Sequence, residues 1–186
     1  MEIASDTVPL VGRLRERQRL LAMLEGSIAG RGTLAMLSGD PGIGKTRLAE
    51  EIGREAQRRD ALVLWARCWE ECAAPGYWLW IQILRGCAES AAPGDFRLAD
   101  PEAILGAMPA LCGDFHQPNP DAGGRPSGDA DRDRFRLFDA VAATLRGVSK
   151  RAPLVLALDD LHAADDASLF LLRFVARHIA HRRIFI

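Results

Sequence analysis

Several features are scarce or missing in this sequence, and each absence excludes something. No uncharged apolar stretch approaches the roughly 18 residues that a membrane span requires. The N-terminus, MEIASDTVPL, has neither the basic start nor the apolar run of a secretory signal. Charge of one sign is not in excess. With 24 Lys and Arg against 25 Asp and Glu, the net charge of −1 offers no electrostatic case for nucleic acid or an acidic membrane surface. Cysteine is sparse, at 4 in 186 residues. Cys68 and Cys72 have a C-x-x-x-C spacing that could begin a metal site, but no second pair or spaced His pair completes it. Reduced, partly buried thiols at Cys68, Cys72, Cys87 and Cys112 are the expectation. A cytoplasmic protein, with no membrane partner and no direct nucleic-acid contact, follows from these absences.

What remains is an ordinary globular balance of 48% hydrophobic and 26% charged residues, enough for one domain with a sizeable core. Periodicity predicts a helix over 14–28, with Leu20, Leu21, Leu24 and Ile28 on one face and Gly30 and Gly32 after its end. Leu34 to Leu37 read as a short buried strand. A helix from about Lys45 carries Leu48, Ala49, Ile52 and Ala56 inward, and 61–66 (ALVLWA) is a second strand. Strand, helix, strand in this order is a βαβ unit, so the sheet should be parallel. An aromatic helix follows over 75–90, then a shorter one over 101–112. Residues 113–130, rich in Gly, Pro and Asp, read as a mobile surface loop. The next helix places Phe135, Phe138, Val141, Ala142 and Leu145 at helical spacing. Residues 153–158 (PLVLAL) form a third buried strand, a long helix spans about 165–181, and Arg183 to Ile186 open a fourth strand. An ending inside an apolar strand points to a piece of a longer protein. The expected fold is a three-layer α/β/α sandwich with a parallel sheet, truncated at its fourth strand.

Residues 39–46 read Gly39-Asp40-Pro41-Gly42-Ile43-Gly44-Lys45-Thr46, followed by Arg47. This is G-x-x-x-x-G-K-[ST], the P-loop. Gly39, Gly42 and Gly44 allow the backbone to curl until its N–H groups converge on an anion. The helix beginning near Lys45 adds its positive end. Lys45 can reach β- and γ-phosphates, and the Thr46 hydroxyl can ligate Mg²⁺. Accidental matches should occur in on the order of one chain in a hundred, and the placement between a predicted strand and a predicted helix argues further against chance. ATP or ADP with Mg²⁺ is the expected ligand set.

The second constellation is Leu-Val-Leu-Ala-Leu-Asp159-Asp160 at 154–160, an apolar strand ending in acids as in a Walker B motif. Ligands of a parallel sheet gather at the carboxyl ends of its strands, so Asp159 should face the P-loop and hold Mg²⁺ with Thr46. Asp160 is the candidate to orient or deprotonate an attacking water, alongside Lys45 in the catalytic set. Where Glu is usual, Asp is one methylene shorter, and slow turnover is expected. The alternative use of the pair as a helix cap is better filled by Asp165.

Other features have plainer readings. Trp65, Trp69, Trp78 and Trp80 could form a stacking surface, but strand placement and helical spacing favour core packing. His162 could contact a phosphate or water, or be a turn histidine. Arg132, Arg134 and Arg136 beside Asp131, Asp133 and Asp139 read as a solvated, ion-paired helix face. His178, His181, Arg182 and Arg183 close the last helix, where cations suit its dipole.

Val11-Gly12-Arg13 and Glu16, then the P-loop and LDDLHAAD at 158–165, together resemble the AAA-type ATPase domain of signal-transduction ATPases with numerous domains (STAND). The closer likeness is to the ATP-binding module at the front of large bacterial LuxR-type transcriptional regulators, a module that also precedes some adenylate cyclases and kinases. The stretches Ala66–Arg85 and Arg134–Ala140 are similar to segments of that group, and the resemblance runs from about residue 8 to 186. It implies that Val11, Gly12 and Arg13 line an adenine pocket. Residues 1–32 would then form an N-terminal segment and helix flanking the adenine site, and residues 33–186 an incomplete ATPase core. Ala163 stands where the family often has Trp. The family's fourth strand ends in a polar sensor of the γ-phosphate, and this chain stops before it, as it does before the lid and output domain. The implied function is an ATP/ADP-binding, slowly hydrolysing switch of a transcriptional regulator. Its implied partners are a downstream helix-turn-helix output domain and a second copy in the ATP state. Hydrolysis would belong to the longer protein. The alternatives are a DNA-remodelling AAA ATPase of replication-initiator type and a nucleotide-binding scaffold without hydrolysis.

Overall fold

In the computed structural model, residues 13–68, 74–92, 94–111 and 129–186 are described. Three parallel strands run in the order β1 (Leu62–Arg67), β2 (Leu154–Asp159), β3 (Ile184–Phe185). Each is an apolar run, and alternation along the strand sends neighbouring side chains to opposite faces. In β2, Val155 packs on one side with α1 (Leu14–Ile28) and α2 (Lys45–Gln57), through Leu20, Leu24, Leu48, Ile52 and Ala56. Leu154 and Leu156 point the other way, into a larger core with α3 (Trp78–Glu89), α4 (Pro101–Ala107), α5 (Ala130–Arg151) and α6 (Asp166–His178). This is the expected three-layer α/β/α arrangement.

Local chemistry sets the element ends. Helix α1 closes with Gly30 at φ +89, while Arg31 N–H donates to the Gly26 carbonyl and Gly30 N–H to Ser27, the two bonds of a Schellman cap. Asp100, Asp129 and Asp165 cap α4, α5 and α6 by accepting from Ala103, Arg132 and Ser168 N–H. Fully buried Trp80 on α3 satisfies its indole N–H by donating to the Ser168 carbonyl at 3.0 Å, which ties α3 to α6. Arg134 pairs with Asp131 along α5, and Arg136 crosses to Asp100 and Glu102 of α4, as expected of a solvated ion-paired face.

Five expectations need correcting. Leu34 to Leu37 are not a buried strand: Met36 is 72% exposed, and the pairing reduces to one parallel bridge, Thr33 with Phe185. The chain still runs alongside β3, with Thr33 N–H donating to Ile184, Ala35 N–H to Ile186 and Ile186 N–H to Thr33. Hydrogen bonding on one side only, to a strand two residues long, gives too little ladder for a strand. Phe135 faces outward at 63% exposure, edge-to-face on Phe174 at 5.8 Å, while Phe138, Val141, Ala142 and Leu145 are buried. The helix expected over 101–112 ends at Ala107, because Pro109 opens a separate 3-10 turn, Pro109–Leu111, and disfavours helical backbone before it. The last helix stops at His178, which leaves His181, Arg182 and Arg183 in the turn to β3. Trp65 is 39% exposed, so only Trp80 is a full core tryptophan among the described residues. The loop expected at 113–130 lies outside the described residues up to 128; Asp129 and Ala130 already belong to the cap and start of α5. Cys72, Cys112 and Trp69 also lie outside them. No described helix is long and apolar enough to cross a membrane.

Cys68 and Cys87 are buried and unpaired. Burial first, then the carboxylates of Asp165, Asp160 and Asp159, push the Cys68 thiol up to about 11; burial alone pushes Cys87 up to about 12. Raised values favour the protonated folded form, so this stability is full below the ordinary value of 9.0 and is lost as pH rises towards about 11. In a Cys72→Ser, Cys112→Ser background, a disulfide-exchange reagent at pH 8 should therefore label the remaining thiols only as fast as the chain unfolds, measured by absorbance against urea.

Gly32 sits where a Cβ would lie 2.0 Å from the Ile179 carbonyl oxygen and 2.9 Å from that of Arg182. The passage from α1 to the segment beside β3 therefore runs hard against the end of α6. Gly32→Ala should lose roughly 1–3 kcal/mol in urea denaturation. Gly106→Ala, inside α4 with no atom within 4 Å of the added carbon, should lose none.

Candidate functional site

The carboxyl ends of β1 and β2, the 39–44 turn and the start of α2 enclose a cavity of about 1150 Å³. Gly39, Pro41, Gly42, Gly44, Lys45, Thr46 and Arg47 line it from one side, and Asp159, Asp160 and His162 from the other. Sequence positions more than a hundred residues apart are thus brought together. The turn has its shape because Gly42 and Gly44 adopt φ +75 and +91, and a Cβ on either would meet no atom within 4 Å. The turn borders the open cavity through Gly39, Gly42 and Gly44. Gly44 is also the N-cap of α2, which has no side-chain cap, so the first-turn N–H groups face the turn without a side-chain acceptor. The Lys45 ammonium folds over the turn and donates to the carbonyls of Gly39 at 3.0 Å and Asp40 at 3.1 Å. Asp40, Pro41 and Ile43 form the exposed crown, where Ile43 N–H donates to the Asp40 carbonyl.

Thr46, one residue into α2, donates its hydroxyl to both carboxylate oxygens of Asp159, at 3.2 and 3.3 Å. Asp159 closes β2 and is only 16% exposed. Asp160 follows in a left-handed conformation (φ +56, ψ 43) that breaks the strand and opens the 3-10 turn Leu161–Ala163; its own side chain makes no cap. Asp165 instead caps α6, as expected.

One participant went unrecognised in the sequence. Arg67, the last residue of β1, lies in register opposite Asp159. Its guanidinium Nη2 donates to Asp159 Oδ2 at 2.8 Å, and its Nε lies 3.9 Å from Asp160 Oδ2. Hydrogen bonding to Asp159 is the main cause that raises the arginine above its usual value. The available signal was positional: Arg67 is the first charged residue after the apolar run 61–66, and Trp65, two residues earlier on the same face, lines the cavity. Arg13 begins α1 and does not line the cavity, where α1 is represented by Leu20. Val11 and Gly12 lie outside the described residues.

A hydroxyl and a carboxylate in contact are a hard-oxygen donor pair, suited to a small divalent cation. An open glycine turn at a helix N-terminus with a lysine beside it suits a phosphate chain. The family profile described as AAA ATPase domain matches residues 9–186. The chain belongs to the AAA ATPase domain family. Among curated proteins, this AAA ATPase domain is similar to an uncharacterized protein of Rhizobium meliloti (strain 1021), 27% identical over 183 residues. That alignment covers 92% of this chain and 17% of the relative, so the chain spans about a sixth of the length of the curated relative it matches. No solved structure matches it. Membership in the AAA ATPase domain family supports a nucleotide as partner, usually with Mg²⁺.

Trp65 gives the cavity an optical reporter. Mg-ADP should change tryptophan emission, and most of that change should vanish in Trp65→Phe while the circular dichroism spectrum is kept.

Proposed function

We propose that this AAA ATPase domain is the ATP/ADP-binding switch module of a larger signal-transducing regulator, with slow hydrolysis. The observation that carries it is the Thr46–Asp159 contact, because it joins the end of the glycine turn to the end of β2. The backbone N–H groups at the start of α2 would hold the phosphate chain, and Gly39, Asp40, Pro41, Gly42, Ile43, Gly44 and Arg47 would frame it. The Lys45 ammonium would exchange its loop carbonyls for β- and γ-phosphate oxygens. Thr46 and Asp159 would hold Mg²⁺, which when bound neutralises charge on those oxygens. Asp160, with its exposed carboxylate beside the cavity, would orient the attacking water and accept its proton. Val11, Gly12 and Arg13 would flank the adenine, as the resemblance implies, with residues 1–32 as the adenine-side segment of the core.

The regulatory part rests on the likeness of Ala66–Arg85 and Arg134–Ala140 to the LuxR-type regulator group. The great length of the curated relative supports a module within a larger protein. In that protein, ATP and ADP would favour different arrangements of core and lid. A helix-turn-helix output domain would read the difference, with self-association in the ATP state.

The test is an equilibrium titration of Mg-ATP and Mg-ADP, with Lys45→Ala alongside. Saturable binding is expected for both ligands, weakened at least about tenfold in the variant, a loss of about 1.4 kcal/mol. At 100 times Kd the ligand should stabilise the fold by about 2.7 kcal/mol. A folded chain that binds neither nucleotide would overturn the reading.

A further inference from the structure

Asp159 has no spare carboxylate oxygen. Oδ1 accepts from the Thr46 hydroxyl and from Asp160 N–H at 3.2 Å; Oδ2 accepts from Thr46 and from Arg67. Among the described residues, Arg67 is the one cation paired with either member of the acidic pair, since Lys45 donates to carbonyls on the far side of the turn. The arginine thus stands as monovalent counter-ion where the proposed metal ligands meet.

Two features separate what can move from what cannot. The backbone of Arg67 is gripped from α3: its N–H donates to Gln82 Oε1 at 3.2 Å, and its carbonyl accepts from Gln82 Nε2 at 3.0 Å. The guanidinium, in contrast, approaches Asp159 from solvent. The Arg67 side chain is 55% exposed, against 16% for Asp159. It can swing away by side-chain rotation, with strand and core unchanged.

We propose that Arg67 is a displaceable counter-ion of the acidic pair. It positions Asp159 and Asp160 before metal arrives, and a divalent cation must dislodge it to take Asp159 Oδ2. This rests on the reading of Thr46 and Asp159 as metal ligands. Arg67 acts through the carboxylates and is a positioning residue. Its charge opposes the arriving cation, so the arginine sets the threshold of divalent ion at which the site fills. Once displaced, the guanidinium swings free while the Gln82 clamp still holds its backbone at the end of β1.

The experiment compares wild type with Arg67→Gln, Arg67→Ala and Arg67→Lys, each checked for folding by circular dichroism. Mn²⁺ alone is titrated into the nucleotide-free chain and followed by electron paramagnetic resonance of the free ion. Removing the charge should tighten Mn²⁺ binding by about tenfold. Arg67→Lys, which keeps a charge on the same clamped backbone, should return it towards wild type. Unchanged or weakened Mn²⁺ binding in both neutral variants would overturn the proposal, since Arg67 would then merely support Asp159. ADP is titrated separately in EDTA, where no divalent cation competes. Failure of wild type to bind ADP there and with Mg²⁺ would count against the nucleotide reading, whereas the Mn²⁺ result judges Arg67 by itself.

Discussion

The parallel pairing of β1 with β2 is the constraint on which the rest of the molecule depends. Its register, from Leu62 with Leu154 to Arg67 with Asp159, sets two things at once. Along β2, alternation divides the interior into one core under α1 and α2 and another under α3 to α6. At the carboxyl end, it sets a guanidinium beside a carboxylate at the height where α2 begins. A shift of one residue would turn every side chain of one strand to the wrong face. The packing of the apolar residues and the placement of the charged ones are therefore decided by a single alignment.

Charge at the site is arranged by kind of partner rather than by proximity alone. Lys45 donates to backbone carbonyls, which are neutral, while Arg67 donates to carboxylates. A compact ammonium can trade neutral oxygens for anionic ones at little loss. A planar guanidinium against a carboxylate is a stronger, more directional pairing. The two cations, Lys45 at the glycine turn and Arg67 at the acidic pair, are thus held with different firmness.

The P-loop and the acidic strand end were legible because their chemistry is local: a glycine turn, a lysine, and a strand that finishes in Asp. The structure brings them to one cavity without further help from the sequence. Asp165 was legible as a cap for the same reason. Arg67 was hidden because its significance lies in register, and nothing within the run 61–67 says which residue of a distant strand stands opposite. At Leu34 to Leu37 apolar character does not bring burial or a strand. Burial needs neighbours on both faces, and Met36 lacks them. Phe135 failed similarly: helical spacing puts it on the face of Phe138, but it lies one turn beyond the edge of the core. The breadth of an apolar stripe is set by the partner helix, here α6, which the spacing of α5 alone does not contain.

The side-chain amide of Gln82 has a consequence for how the molecule meets others of its kind. Strand β1 forms the outer limit of the described sheet, and its outward N–H and carbonyl groups are a template on which a stray chain could lay a further strand. At Arg67 both groups are already taken by an amide that imitates the neighbour the sheet lacks. An incoming peptide would have to evict that amide and leave its donor and acceptor without partners. The last rung of this edge, at Arg67, is thereby closed to uninvited pairing by a single glutamine that reaches over from α3.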